Sequence, residues 1–222
     1  MTEVLTYLSD LDTSLLLAVN SNHSSYWDAF MWLCSRKFEW IPFYVSIFYV
    51  LFRNVELRVV LFSLVAMAVV LLFTDCFSSH VIRPFVARLR PSNLENPVSQ
   101  FIHIVDNHRG GRYGFPSSHA SNTWGLVFFI AWLLRRHFLT FFMAAWALLV
   151  CYSRLYLGVH YPSDLLAGMV MGAVGASLAY YVFCRISRQD VLTDLKHPYM
   201  PVLVGLLTIV AFLSISFFID LS

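Results

Sequence analysis

Residues 57–77 read LRVVLFSLVAMAVVLLFTDCF, a continuous apolar run with one cation near its start, Arg58, and one acid near its end, Asp75. A helix that crosses a bilayer needs about 20 mostly apolar residues. The run lacks the dyad alternation of a membrane strand. Five further segments qualify or nearly do, at roughly 38–52, 117–134, 138–157, 163–184 and 199–219. The first of these is short, but residues 26–34 (YWDAFMWLC) can lengthen it, with Pro42 tolerated or kinking the helix. Residues 3–19 carry apolar positions at helical spacing and break at Asn20-Ser21-Asn22, so they read as an interfacial helix. The expected fold is all-α, a polytopic six-helix transmembrane bundle with an N-terminal interfacial helix, forming one domain over residues 1–222.

Composition points the same way. Of 222 residues, 59% are hydrophobic and only 13% charged, against about 25% charged in a soluble domain; the mean hydropathy is +0.67. Too little polar surface exists to cover a water-facing globule, and disorder and a collagen-like fibre are excluded. A net charge of +2 leaves no nucleic-acid footprint. Cys34, Cys76, Cys151 and Cys184 lie in apolar stretches without CxxC or Cys/His spacing, which reads as buried free thiols. The acidic N-terminus has no early Lys or Arg, so no cleavable signal is expected.

One segment does not fit a plain bundle. Residues 80–116, between the second and third spans, form a long polar connection, and such loops are usually functional or disordered. The short loops set orientation. Arg53 and Arg58, then Arg135 and Arg136, then Arg185, Arg188 and Lys196 fall on one side, opposite the acidic N-terminus and Asp220. The positive-inside rule places those loops in the cytoplasm and the long polar loop outside.

Three polar clusters share that outer face: Arg83–Pro91 after span two, Phe115–His119 before span three, and Ser153–Asp164 between spans four and five. Arg83, Arg90 and Arg154 are permanent cations whose planar forks match phosphate oxygens. Pro116-Ser117-Ser118 opens a helix and so offers free amides, hydroxyls and the positive end of the dipole to an anion. His119 follows, placed to protonate a departing oxygen. His160 and Asp164 are four apart, with Pro162 suited to a first helical turn. An Asp there can accept from one imidazole nitrogen and leave the other nucleophilic. Each residue alone has a plainer reading, as a snorkelling arginine, a helix cap or an interfacial histidine. Three arginines, two histidines, an acid and a helix start at one face outweigh it.

The clusters resemble the three-part signature of the membrane branch of the type 2 phosphatidic acid phosphatase superfamily: Lys-x6-Arg-Pro, Pro-Ser-Gly-His, and Ser-Arg-x5-His-x3-Asp. Here they read Arg83-x6-Arg90-Pro91, Pro116-Ser117-Ser118-His119, and Ser153-Arg154-x5-His160-x3-Asp164, all within residues 83–164. Arg83 stands for the lysine and Ser118 for the glycine; neither change removes a reacting group. The resemblance implies metal-independent, cofactor-free hydrolysis of a phosphate or diphosphate on a membrane lipid. In it His160 forms a phosphohistidine, Asp164 orients it and His119 serves as acid and base. Arg83, Arg90, Arg154, Ser117 and Ser118 hold the phosphoryl oxygens. Undecaprenyl diphosphate, phosphatidylglycerophosphate, phosphatidic acid and lipid A phosphates all fit, and the small size resembles the bacterial branch. That branch implies a bacterial inner membrane, with the site facing the periplasm or exterior.

Other readings stay open. A lipid-linked phosphotransferase uses the same intermediate, and a transporter or scaffold could keep the phosphate site without turnover, although the polar or broken mid-membrane helices of transporters are scarce here. Asp75 is expected to form a salt bridge with a loop arginine. His103, His108, Arg109 and Arg112 could touch a headgroup or lie in solvent. Gly168, Gly172 and Ala176 form a small-residue stripe that suggests close helix packing. The aromatics read as lipid-facing and interfacial surface.

Overall fold

The computed structural model describes residues 2–187, 195–219 and 221; Arg188 and Asp220, used above for orientation, lie outside the described residues. All regular elements among the described residues are helical: α1 (Thr2–Asn20), α2 (Ser25–Ser35), α3 (Ile41–Asn54), α4 (Leu57–Phe77), α5 (Arg83–Val86), α6 (Ser118–Leu134), α7 (His137–Tyr156), α8 (Pro162–Ser187) and α9 (Met200–Ile215). Residues Leu57–Val86, His137–Tyr156 and Pro162–Ser187 are each long and apolar enough to cross a membrane. Helices α3, α6 and α9, with 14, 17 and 16 residues, complete the six apolar segments at shorter length.

Pro42 and the end of the second span resolve differently from expectation. Pro42 neither kinks nor is absorbed within a lengthened first span. It occupies the first turn of α3, while residues 26–34 belong to a separate helix, α2, joined through a 3-10 turn at Lys37–Trp40. A missing N–H costs nothing at a helix start. The second span continues beyond residue 77. A π-type turn at Ser78–Ile82 carries α4 directly into α5, which ends at Ala87 with φ of 50°. Pro84 withholds an amide hydrogen at this point, and the helical run delivers Arg83 on a helix rather than a loop.

The expected small-residue stripe is a close contact between α6 and α8. A Cβ added at Gly172 would lie 2.4 Å from the Ser121 carbonyl oxygen, and one at Gly168 would lie 2.5 Å from that of Ser117. The start of α6 is thereby pressed onto α8. Outward faces are apolar: Leu61, Val65 and Leu72 on α4, Leu166, Val170 and Leu178 on α8, and Leu203 and Leu207 on α9 are exposed. A surface this apolar suits lipid rather than water. Not all aromatics lie there, as the sequence suggested. Trp40, Phe43, Trp146 and Phe212 are buried, with ring centroids 5.7 Å apart for Trp40 and Trp146 and 5.1 Å for Trp40 and Phe212. This edge-to-face knot ties α3, α7 and α9 together. All four cysteines are free, but only Cys34 and Cys151 are buried; Cys76 is exposed and Cys184 partly so.

Candidate active site

The first turn of α6 opens at Ser117, whose amide donates to the Asp164 carbonyl at 3.0 Å. Its hydroxyl lies 3.5 Å from the Ala120 amide, as an N-cap does. The starts of α6 and α8 are therefore tied to each other. Arg83 reaches across from α5, donating from Nη2 to Ser118 Oγ at 2.7 Å and to the Pro116 carbonyl at 3.2 Å, and from Nη1 to Ser79 Oγ at 3.1 Å.

Arg90 lies in the long connection and is buried. The two ends of that connection are clamped by a bridge between Leu89 and Tyr113, with the Arg90 amide donating to the Arg112 carbonyl and the Gly114 amide to that of Arg88, both at 3.0 Å. From this clamp Arg90 Nη1 donates to the Val159 carbonyl at 2.9 Å and contacts His160 Nε2 at 2.8 Å. A guanidinium only donates, so His160 Nε2 is the unprotonated nitrogen and Nδ1 carries the hydrogen. Nδ1 faces Asp164 Oδ2 at 3.3 Å. The same carboxylate oxygen accepts from the Tyr161 amide at 3.0 Å, and Oδ1 accepts from Arg88 Nη1 at 3.0 Å. The expected one-turn spacing thus produces a fixed tautomer.

Burial pushes the His160 pKa well below the ordinary imidazole value, and the positive charges of Arg90, Arg154 and Arg83 push the same way. Arg90 is itself lowered by burial and by Arg83, to about 10, and stays cationic at neutral pH. Arg154, in the last turn of α7, is buried and donates from Nη1 to Ser35 Oγ on α2. The Nε atoms of Arg83, Arg90 and Arg154 are buried without a protein acceptor. Orphaned guanidinium donors are costly, and three of them stand in one constellation here.

His119, half-buried on α6, lines with Ser118 a cavity of about 470 Å³ whose walls are otherwise mainly apolar, including Trp40, Met67, Val70 and Leu126. Lys37 and Asp75 also line it. Asp75 forms no ion pair with a loop arginine. Both its oxygens lie 3.3 Å from Asn122 Nδ2 on α6, which corrects the expected salt bridge. Nor are all the loop residues headgroup contacts or solvated. His103 pairs with Asp28 at 2.8 Å. His108 packs edge-on against Trp32, Arg109 donates to the Ser92 carbonyl, and Arg112 pairs with exposed Glu95.

Several residues here escaped the sequence reading. Arg88 joins Asp164 to Asp12 of α1, donating from Nη2 to Asp12 Oδ2 at 2.6 Å, and from Nη1 to Ser163 Oγ as well. Asp12 Oδ1 also accepts from the Ser163 amide at 2.9 Å. Gly114 stands against the pair: a Cβ there would meet Asp164 Oδ2 at 2.9 Å and His160 Nδ1 at 3.6 Å. Only the position of Arg88 among the clustered loop arginines hinted at any of this. Among the described residues one group of three metal-capable side chains converges, His23, Asp28 and His103, and it shares no member with the constellation around His160.

Fold and site together define a class: integral membrane proteins with a buried cluster of arginine and histidine at the head of an apolar cleft. The chain belongs to the PAP2 superfamily, whose family model matches residues 57–188. It is 44% identical over 183 residues to a lipid A 4'-phosphatase of Bacteroides thetaiotaomicron, covering 82% of this chain and 81% of that one. It is 31% identical to a lipid A 4'-phosphatase of Porphyromonas gingivalis, over 80% and 75% of the two chains. A transmembrane PAP2-type phosphatidylglycerolphosphate phosphatase of Bacillus subtilis shares the fold, with a TM-score of 0.60 and 21% identity over 83% of this chain and 90% of that one.

Proposed function

We propose that this chain is a membrane lipid phosphatase that removes a phosphate monoester through a phosphohistidine on His160, with the 4'-phosphate of lipid A as its first-choice substrate. The observation that carries the reading is the Arg90–His160–Asp164 chain, which presents an unprotonated Nε2 next to three guanidinium groups with orphaned donors. The two relatives named lipid A 4'-phosphatases support the substrate, and the apolar cleft beside His119 supports a lipid.

The chemistry follows from the atoms. A phosphate entering the arginine cluster takes the Arg90 donor now spent on His160 Nε2, freeing that lone pair. Nε2 attacks phosphorus as the ester P–O bond breaks, and His119 gives its proton to the leaving oxygen. Asp164, which Nδ1–H still faces, stabilises the imidazolium. Water then attacks phosphorus with His119 taking its proton, the P–N bond breaks and returns its electron pair to Nε2, and inorganic phosphate leaves. Arg83, Arg90, Arg154 and the hydroxyls of Ser117 and Ser118 hold the equatorial oxygens, where preorganised donors stabilise developing charge. No step needs a metal or cofactor. The reading places the site on the periplasmic side of a bacterial inner membrane, where the tails stay in the bilayer and the headgroup enters the site.

Phosphate release from purified lipid A, with the product mapped by mass spectrometry, tests the substrate. Loss of 80 mass units from the 4'-position, in excess EDTA, is the expected result. Release only from the 1-position, or only from glycerophospholipids, contradicts it.

A further inference from the structure

We propose that His23, Asp28 and His103 bind one divalent transition-metal ion of the Zn²⁺ type, separate from the phosphoryl site. His23 and Asp28 lie five residues apart, in the connection after α1 and the first turn of α2, and His103 joins them from the long polar loop. One ligand atom from each lies within 4.8 Å of the other two. Ligands on a tetrahedral ion with bonds of ~2.0–2.1 Å stand about 3.3 Å apart, so binding widens the His103–Asp28 contact slightly and turns the exposed His23 ring out of its stack to aim a nitrogen at the ion. Two imidazole nitrogens among three donors favour Zn²⁺-like ions over the oxygen-seeking Mg²⁺ and Ca²⁺.

A second observation is the shell that holds these donors. Asp28 Oδ1 accepts from the buried Tyr156 hydroxyl at 2.6 Å, leaving Oδ2 toward His103 Nε2 at 2.8 Å. The His103 amide donates to Asn20 Oδ1 at 2.8 Å, its carbonyl accepts from Asn20 Nδ2 at 3.0 Å, and the same Nδ2 donates to the Tyr156 carbonyl at 2.7 Å. Outer partners of this kind orient metal ligands. An isolated His103–Asp28 ion pair accounts for neither this shell nor His23, whose ring stacks on His103 with centroids 3.7 Å apart and planes 5° from parallel. The ion takes the place of the hydrogen between His103 Nε2 and Asp28 Oδ2. That hydrogen moves to His103 Nδ1, the ring's other nitrogen. The site ties the segment after α1 and the long loop to the end of α7, and no phosphoryl step passes through it. It therefore stands whether or not the lipid phosphatase reading holds.

The test uses full-length protein without a histidine tag, stripped with chelator and titrated with Co²⁺, then with Zn²⁺ in competition. One saturable set of visible Co²⁺ bands per chain, displaced by Zn²⁺, is expected, together with a metal-dependent rise in Tm. His23→Ala and His103→Ala should each weaken binding about tenfold or more, and Tyr156→Phe, which removes an outer partner, about 10–100-fold. His23→Ala changes an exposed side chain and should fold and release phosphate normally, so it carries the test alone if the others fold poorly. No saturable Co²⁺ signal, or unchanged affinity in His23→Ala, overturns the proposal.

Discussion

The contact between Arg90 Nη1 and His160 Nε2 settles which imidazole nitrogen carries hydrogen, and it makes a measurable claim about one residue. Selective ¹⁵N labelling of histidine should show His160 as the Nδ1–H tautomer, with His160→Gln assigning the signal. Because burial and the arginines lower its pKa, the ring should stay neutral well below the ordinary ~6.5. The folded state then binds fewer protons than the unfolded one. Its contribution to stability is complete above about pH 6.5 and declines as pH falls through and below that value. An imidazolium signal from His160 at pH 6–7 contradicts this. The motif residues were legible because they recur at fixed spacing over short stretches. Arg88 and Asp12 were not: their contact spans 76 positions, and nothing local in either residue names its partner.

At the scale of elements, the contact of α6 with α8 positions the anion site, because α6 starts at Ser117 and α8 carries Asp164. Gly172→Ala forces a methyl into the Ser121 carbonyl, an overpacking that typically costs about 1–3 kcal/mol. Tm and phosphate release should fall together, while a lipid-facing control such as Leu178→Ala changes neither; normal Tm and activity in Gly172→Ala would show that the helices tolerate separation. Helix α1 reaches the site through Asp12 and Arg88. Arg88→Met strips Asp164 of its cationic partner and should lower kcat more than it raises KM, with Asp12→Asn causing a smaller loss. An effect on KM alone would place Arg88 in substrate binding instead. The apolar segments were readable by length, but the helix through residue 86 was not, since residues 78–86 are too polar to score as a span. The role of Pro42 was equally open until neighbouring helices fixed it.

For the whole molecule the proposed lipid substrate rests on the cleft. It is built by α2, α3 and α4 from one stretch of the chain and by α6 and α7 from another, so no local pattern could announce it. Leu126→Trp should fill part of its volume, cutting lipid hydrolysis while sparing p-nitrophenyl phosphate; equal loss on both would mean that the cleft does not hold the tails. The shared face of the three motifs was legible from the parity of the spans. Its side of the membrane is tested by single cysteines at positions 92–112 in a cysteine-free variant. These should react with an impermeant reagent outside intact cells, and labelling only after lysis would reverse the orientation.

The central claim is that His160 carries the phosphoryl group and His119 the proton. Rapid-mixing of p-nitrophenyl phosphate with His119→Ala and His160→Ala, followed by acid-lability of any phosphoenzyme, tests both roles at once. A nitrophenolate leaving group hardly needs a proton, whereas a lipid alkoxide does, and positioned acid catalysis is worth about 10²–10⁴-fold. His119→Ala should give a nitrophenol burst with an acid-labile phosphoenzyme, yet lose most turnover on the lipid; His160→Ala should give neither burst nor phosphoenzyme. A burst from His160→Ala and none from His119→Ala would contradict the account and exchange the two roles.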